Sequence, residues 1–179
     1  MIDSAEIGLQ ASVEGFANEH IVVGILMKKY QNVSLVNLPL SPYDIIIVFK
    51  DTDGKENIIR AQVKTATRGV SFIGGSRGGV DRVYLSGVKT YTQSTKTSDI
   101  VIGLHALSKD AFELYFVPTI LIEHLKQKSI SLNKIAALKN NYEILEQCKN
   151  QDYVINKCKE YRIIPGFVIV TPMPIKKDK

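Results

Sequence analysis

Apolar residues near the start of the chain recur at intervals that match one side of a helix. They occupy the positions of Phe16, Ile21, Val22, Ile25 and Leu26. The pattern gives way to polar residues at Lys28 and Lys29. We therefore predict a first helix that ends near residues 28–30.

Two β-rich stretches follow this helix and flank a turn. A short run at residues 33–38 leads through prolines to the strongly β-branched run 45–49. Turn-forming residues at 51–55 separate that run from a second strand-like stretch at 57–65. Because the connection is short, we predict that the two longer stretches form an antiparallel hairpin.

The rest of the chain mixes strands and helices. In chain order we predict a short strand at 70–73, a mobile glycine-rich loop at 74–79, a helix around Tyr91 within 86–98, strands at 100–107 and 113–117, a helix at 120–126, a helical stretch at 131–161, a strand at 166–170 and a disordered tail at 176–179. This order predicts an α/β domain with a central mixed β-sheet flanked by helices.

Composition limits the domain count and the class of protein. With 179 residues, 45% of them hydrophobic, the chain has material for one core. We expect a core at residues 1–128 and a mostly helical C-terminal extension at 129–179, packed on the same domain.

No apolar run has membrane-spanning length, and the start lacks the basic region of a signal peptide. A soluble, cytoplasmic protein without a membrane partner is expected.

The net charge and the cysteine content do not identify a ligand or a reaction. The net charge of +5 permits a polyanionic partner without demonstrating one. Cys148 and Cys158 stand outside any CxxC or Cys/His cluster, so neither a disulfide framework nor a zinc site is indicated. The glycine-rich loop lacks the ending of a phosphate-binding P-loop, so no nucleotide cofactor is expected.

Polar and apolar residues alternate along the second strand of the hairpin. One face carries Arg60, Gln62 and Lys64, and the other carries Ile59, Ala61 and Val63. Asp44, at the entrance of the neighbouring strand, would lie close to the polar face, where oxygens could hold a hard cation. Glu19, on the first helix, could add a second carboxylate if that helix packs across the sheet. The same alternation is also typical of a strand that is merely half exposed.

These residues resemble the PD-(D/E)XK nuclease superfamily. The resemblance rests on Glu19 in the first helix, Pro42-Tyr43-Asp44 at a strand start, and Gln62-Val63-Lys64 followed by Thr65-Ala66. More narrowly, the chain is similar to the branch that contains intron-encoded homing endonucleases, in which glutamine takes the last acidic position. The similarity covers residues 15–125. Tyr43 interrupts the usual Pro-Asp pair, and Gln62 removes one negative charge.

The resemblance implies a restriction-endonuclease-like core and a Mg²⁺-dependent DNA endonuclease of restriction or homing type, with Mn²⁺ as a possible substitute. Asp44, the Gln62 side-chain oxygen and the Val63 carbonyl would hold the metal, with Glu19 acting directly or through water. Lys64 would orient or deprotonate the attacking water, or stabilise charge on the phosphate. Glu14 is the alternative helix carboxylate, and Glu19 fits the family pattern better.

Three arginines, Arg68, Arg77 and Arg82, flank the glycine-rich loop and are candidate DNA contacts, since guanidinium groups suit phosphates and guanine edges. One such site cuts one strand, so we expect a homo-oligomer, a dimer or a tetramer, assembled through the helices at 131–161. Two alternatives stay open: a Holliday-junction resolvase, and a catalytically inactive DNA-binding module that keeps the nuclease fold.

Overall fold

A long N-terminal helix and a five-stranded sheet frame the fold in the computed structural model, which describes residues 4–38, 41–50, 53–75 and 90–166. In chain order the elements of these ranges are α1 (Ser4–Met27), β1 (Asn32–Leu35), β2 (Ile45–Lys50), β3 (Glu56–Thr65), β4 (Gly69–Ser71), β5 (Ile73–Gly74), β6 (Tyr91–Thr92), β7 (Ile100–Ala106), β8 (Phe112–Pro118), α2 (Thr119–Leu125), β9 (Ser129–Ser131), a 3-10 helix at Asn133–Leu138, α3 (Tyr142–Glu146) and α4 (Gln151–Glu160).

The main sheet is mixed. Its strand order is β1-β2-β3-β7-β8, with β3 and β7 parallel and the other neighbouring pairs antiparallel. Two small sheets, β4 with β9 and β5 with β6, lie outside it. The predicted α/β class with a central mixed sheet flanked by helices is confirmed.

The predicted hairpin is the β2-β3 pair. Its register places Ile45 opposite Ala61 and Ile47 opposite Ile59, and all four side chains are fully buried. Continuing that register by one step places Asp44 opposite Gln62. Because side chains alternate across a strand, burying this apolar set turns the polar set to the other face.

Helix α1 confirms the predicted first helix, but Phe16, which was expected on the same apolar side as Val22 and Leu26, is 63% exposed on another side. Val22 and Leu26 are fully buried in the core, and the Asn18 side-chain amide donates to Thr65 Oγ1 of β3 at 2.8 Å. These contacts attach the second half of the helix to the sheet. Although α1 has 24 residues, neither it nor another helix in the described ranges is both long and apolar enough to cross a membrane.

The predicted helix at 86–98 is wrong for its described part. Tyr91–Thr92 pairs with Ile73–Gly74 as a short antiparallel ladder, and residues 95–97 form a turn. In that turn the Ser94 backbone N–H donates to Thr97 Oγ1 at 2.9 Å. Short hydroxyl side chains of this kind compete with helical hydrogen bonds, which explains the error. The predicted strand at 70–73 is divided between β4 and β5, and residues 86–89 lie outside the described ranges.

The predicted helical stretch at 131–161 is interrupted. Lys139 is extended, with ψ 123°, and Asn140 is left-handed, with φ 49°. Asn141 then starts α3 by accepting from the Ile144 N–H at 3.2 Å. Asn150 starts α4 in the same way. Asparagine favours both left-handed backbone and helix caps, so these residues divide the stretch.

The helices after residue 131 belong to the common hydrophobic core. Their fully or nearly fully buried side chains include Ile135, Leu138, Ile144, Leu145, Val154 and Cys158. The proposed division of the chain at residue 128 stays a prediction. Residues 76–79 of the glycine-rich loop, residues 167–170 of the last predicted strand and the tail at 176–179 lie outside the described ranges.

Both cysteines should be inert in the native protein. Cys148 and Cys158 are buried free thiols, and burial raises the pKa of each to about 12. Because the thiolate is the reactive form, we expect neither to react with DTNB at pH 8 until the protein unfolds. Absorbance at 412 nm should report two thiols in denaturant. Rapid reaction of either thiol in native buffer would contradict this burial.

Candidate functional site

The backbone holds Asp44 in place at the entrance of β2. Its N–H donates to the Ala61 carbonyl at 2.9 Å, and its carbonyl accepts from the Val36 N–H at 2.7 Å. Asp44 is therefore fixed between β1 and β3 before its side chain makes any contact. The carboxylate lies beside the polar face of β3, as the alternation predicts.

The Asp44 carboxylate collects donors from β3. Its Oδ2 accepts from the Val63 N–H at 2.7 Å and from Gln62 Nε2. The same Gln62 nitrogen donates to the Val63 carbonyl at 3.2 Å. The amide nitrogen thus lies between two oxygens, a position that also suits a cation.

A buried glutamine, Gln93, orients Gln62. Only 1% of Gln93 is exposed. Its Nε2 donates to the Pro42 carbonyl at 3.2 Å and to Gln62 Oε1 at 3.1 Å. Its Oε1 accepts from Thr97 Oγ1 at 2.6 Å and Ser98 Oγ at 3.0 Å. Because a proline carbonyl can only accept a hydrogen bond, the Gln93 amide nitrogen faces Pro42, and the Gln62 oxygen faces that same nitrogen.

Sequence reasoning missed Gln93. It lies in a polar stretch that was predicted to be helical, and no spacing relates it to the hairpin. Gln93 immediately follows β6, and its backbone N–H donates to the carbonyl of the buried residue Phe72 at 2.8 Å, which holds residue 93 against the core. A serine- and threonine-rich segment beside an isolated glutamine was the only available signal, and that signal is weak.

Arg60 shares the polar face of β3 but is committed to a different contact. Its Nη2 lies 2.8 Å from Asp99 Oδ1, and its backbone N–H donates to Asp99 Oδ2 at 2.8 Å. Asp99 immediately precedes β7, so the pair fixes the alignment of β3 and β7. The guanidinium is thereby engaged away from Asp44.

Glu19 and Lys64 share the electrostatic environment of Asp44. Burial, followed by the negative charge of Asp44, raises the pKa of Glu19 to about 7, while His20 and Lys64 oppose the shift. Burial lowers the pKa of Lys64, and Asp44 and Glu19 oppose that shift. The hydrogen bond from Asn18 to Thr65 of β3 holds α1 against the hairpin, so the neighbouring Glu19 carboxylate lies there too. Glu19, Asp44, Gln62 and Lys64 therefore come together.

The oxygen donors of this site are suited to a hard cation. Asp44 and Glu19 supply carboxylates, and Val63 supplies a carbonyl. The described ranges contain no group of three or more His, Cys, Asp or Glu residues suited to a metal, so a cation here would use amide or carbonyl oxygens as well. Gln62 would contribute its oxygen only after its amide rotates away from Gln93.

An open cleft of about 250 Å³ lies next to the site. Its lining includes Glu14, Asn18, Thr65, Arg68 and His105. Glu14 therefore borders the cleft, whereas Glu19, the other candidate carboxylate of α1, interacts with Asp44. Arg68 lines the cleft three residues beyond the end of β3. The other two predicted DNA contacts, Arg77 and Arg82, lie outside the described residues.

Comparison with protein-family models finds no match, and comparison with curated proteins finds none either. Among solved structures, the chain is similar to a bacterial homing endonuclease, I-Ssp6803I. The TM-score is 0.46, with 13% sequence identity, and the similarity covers 68% of this chain and 76% of that chain. At this level of similarity, a functional proposal has to rest on the chain's own residues.

Glu19→Gln should stabilise the metal-free protein in a pH-dependent way. The unfolded carboxyl ionises near 4.5, whereas the folded one keeps its proton until about pH 7, so the Glu19 contribution to stability falls as pH rises between these values. In EDTA, we expect the variant to raise the melting temperature more at pH 8 than at pH 5. Exposed Glu14→Gln is the control. An equal effect at both pH values would contradict the raised pKa.

Gln93→Met should destabilise the fold although the two side chains are similar in shape. The substitution leaves the Pro42 carbonyl and Gln62 Oε1 without their donor. We expect the free energy of unfolding in urea to fall by about 1–3 kcal/mol. Gln127→Met, at an exposed position, should change it little. A Gln93→Met protein as stable as this control would show that the network contributes nothing.

Proposed function

We propose that the chain is a Mg²⁺-dependent DNA endonuclease, of restriction or homing type, that hydrolyses phosphodiester bonds in the cytoplasm. The observation that carries this proposal is a partly desolvated lysine, Lys64, placed beside two carboxylates at the end of a hairpin. Perturbed pKa values in one open cluster are typical of a reactive site. A surface lysine on a half-exposed strand would be expected to keep its usual solvation.

The hairpin would provide the metal site. Asp44, the Val63 carbonyl, the Gln62 oxygen after rotation of its amide, and Glu19 directly or through water would hold Mg²⁺ or Mn²⁺. When bound, the metal would polarise a phosphodiester oxygen and lower the pKa of a bound water. The Val63 N–H would keep Asp44 oriented throughout, because that bond belongs to the backbone of β3.

Lys64 would act on the water or on the phosphate. As an ammonium, its Nζ would stabilise negative charge that builds on the phosphate oxygens. As an amine, which the lowered pKa favours, it would accept the proton of the attacking water. Both roles require a position close to the carboxylates and partly shielded from solvent, as observed for this side chain.

DNA would approach along the cleft beside the site. Arg68 would contact a phosphate there, and we extend the same role to Arg77 and Arg82 because they are close in sequence. The excess of positive charge would support binding to the polyanion. Since one site hydrolyses one strand, a double-strand break would need at least two copies of the chain.

One observation favours a second candidate, a DNA-binding module without catalytic activity. Gln62 presents its nitrogen to Asp44, and Gln93 holds it in that orientation. A cation would have to displace this contact. If the amide does not rotate, the site would stay closed to Mg²⁺ while the cleft still binds DNA.

Cleavage assays separate the two candidates. We expect the protein to cut supercoiled plasmid, long natural DNA or branched junction DNA only with Mg²⁺ or Mn²⁺. Lys64→Met should slow cleavage by at least about 100-fold, because a general base or charge-stabilising group is removed. Lys50→Met, at an exposed position on β2, should leave the rate unchanged.

Titration calorimetry with Mn²⁺ supplies the second readout. We expect binding that disappears in Asp44→Asn and persists in Lys64→Met. Absence of metal binding with and without DNA, together with absence of cleavage of all three DNAs, would favour the inactive module. Cleavage that survives in Asp44→Asn would place the active site elsewhere.

A further inference from the structure

Helix α1 is apolar on two opposite sides. Its inner side buries Val22 and Leu26 against the sheet. Its outer side exposes large apolar side chains: Leu9 by 52%, Val13 by 56%, Phe16 by 63% and Met27 by 54%. These are four of the seven large hydrophobic residues that are exposed within the described ranges. Packing against the core accounts for the apolar residues on the inner side of α1 but not for those on its outer side.

The outer side has the spacing of a coiled-coil seam. From Leu9 to Met27, alternating steps of four and three residues lead through Val13, Phe16, His20 and Val23. This is the heptad pattern in which apolar side chains from two helices interlock. We call these six positions the outer seam. His20 is its one polar member, and half-buried Val23 also packs against the core of its own chain. A helix that packed only on its own sheet would need a single apolar stripe.

The first half of α1 is largely exposed to solvent in the part of the chain that the structure describes. Residues 9–14 are all exposed, and contact with the sheet begins around Asn18. Isolated helical segments of this length are marginal in water. A second helix along the outer seam would bury the exposed side chains and stabilise these turns.

We propose that the outer seam pairs antiparallel with the same seam of a second copy of this chain, around a two-fold axis. A symmetric interface uses the same patch on both subunits, which a self-complementary heptad pattern satisfies. In the antiparallel register, Leu9 lies against the partner's Met27, Val13 against the partner's Val23, and Phe16 against the partner's His20.

Charge favours this direction over the parallel one. Glu6 and Glu14 carry the charge of the first half of α1, and the first cations, Lys28 and Lys29, follow its end. Antiparallel pairing brings Glu6 near the partner's Lys28, because Lys29 already pairs with Glu146 of its own chain at 3.5 Å. Parallel pairing would place like charges side by side. At the centre, the Phe16 and His20 rings are already in contact within one chain, with centroids 4.4 Å apart and planes tilted by 58°. Pairing would bring two such ring pairs together.

The helices at 131–161, where an interface was first expected, are less suited to this role. Their apolar side chains, such as Ile144 and Val154, are fully buried in the core of the same chain. Within the described ranges, no large hydrophobic residue after Leu107 is exposed. The outer seam is apolar at five of its six positions and extends over about 27 Å, from the rise of 1.5 Å per helical residue.

Sedimentation equilibrium tests the interface. We expect the purified full chain to form dimers at micromolar concentration without DNA. Phe16→Glu should weaken the dimer by at least about tenfold, since it places charge in an apolar seam. Ala11→Glu adds the same charge to an exposed position on the opposite side of α1 and should leave the dimer intact. Circular dichroism of both variants verifies that the fold is retained.

Cross-linking tests the direction. In the antiparallel register, Leu9→Cys with Met27→Cys in one chain should give a disulfide-linked dimer on mild oxidation, while either single variant should not. Cys148 and Cys158 are buried and should add no background. Cross-linking of the single variants would indicate parallel pairing and overturn the proposed register.

Two results would overturn the interface itself. One is a wild-type protein that stays monomeric at 100 μM, which would mean that the seam is left open or covered by the chain's own residues. The other is a dimer that Phe16→Glu leaves unchanged, which would place the interface elsewhere. Neither measurement depends on DNA cleavage, so failure here is distinct from failure of the proposed nuclease activity.

Discussion

The hydrogen bond from the Val63 N–H to Asp44 Oδ2, 2.7 Å long, is the contact on which the site depends. It exists only in one register of the β2-β3 hairpin, the register in which Ile45, Ile47, Ile59 and Ala61 are all buried. A slip by one residue would expose that apolar set and remove Asp44 from Gln62 and Lys64. Core packing and site geometry therefore have the same origin.

The parts of the fold that the sequence could predict are those with a strong local period. The strand alternation of Ile59 to Lys64 identified the polar face, and the helical spacing of Val22 and Leu26 identified the buried side of α1. Local patterns also predicted that Asp44 lies beside the polar face of β3, because a short turn restricts which residues of the two strands can pair. The positions of Glu19, Asp44, Gln62 and Lys64 followed from these periods and from the family resemblance.

The parts that it could not predict depend on tertiary contacts. Gln93 reaches Gln62 across 31 positions of sequence, and only the closed fold shows that its amide is buried and fully bonded. The breaks at Asn140 and Asn150 resemble ordinary polar positions on a helix until the backbone is known. The outer seam was overlooked for a related reason: α1 carries two apolar stripes, so neither stands out by polarity alone.

The orientation of the Gln62 amide decides whether the site can hold a cation. Locating a bound ion is the most direct test of that orientation. We would measure anomalous scattering from crystals of the full chain grown with Mn²⁺. We expect a manganese ion in contact with Asp44 and the Val63 carbonyl, with the Gln62 oxygen turned toward it. An ion bound elsewhere, or a Gln62 nitrogen still facing Asp44 at saturating Mn²⁺, would contradict the proposed metal site.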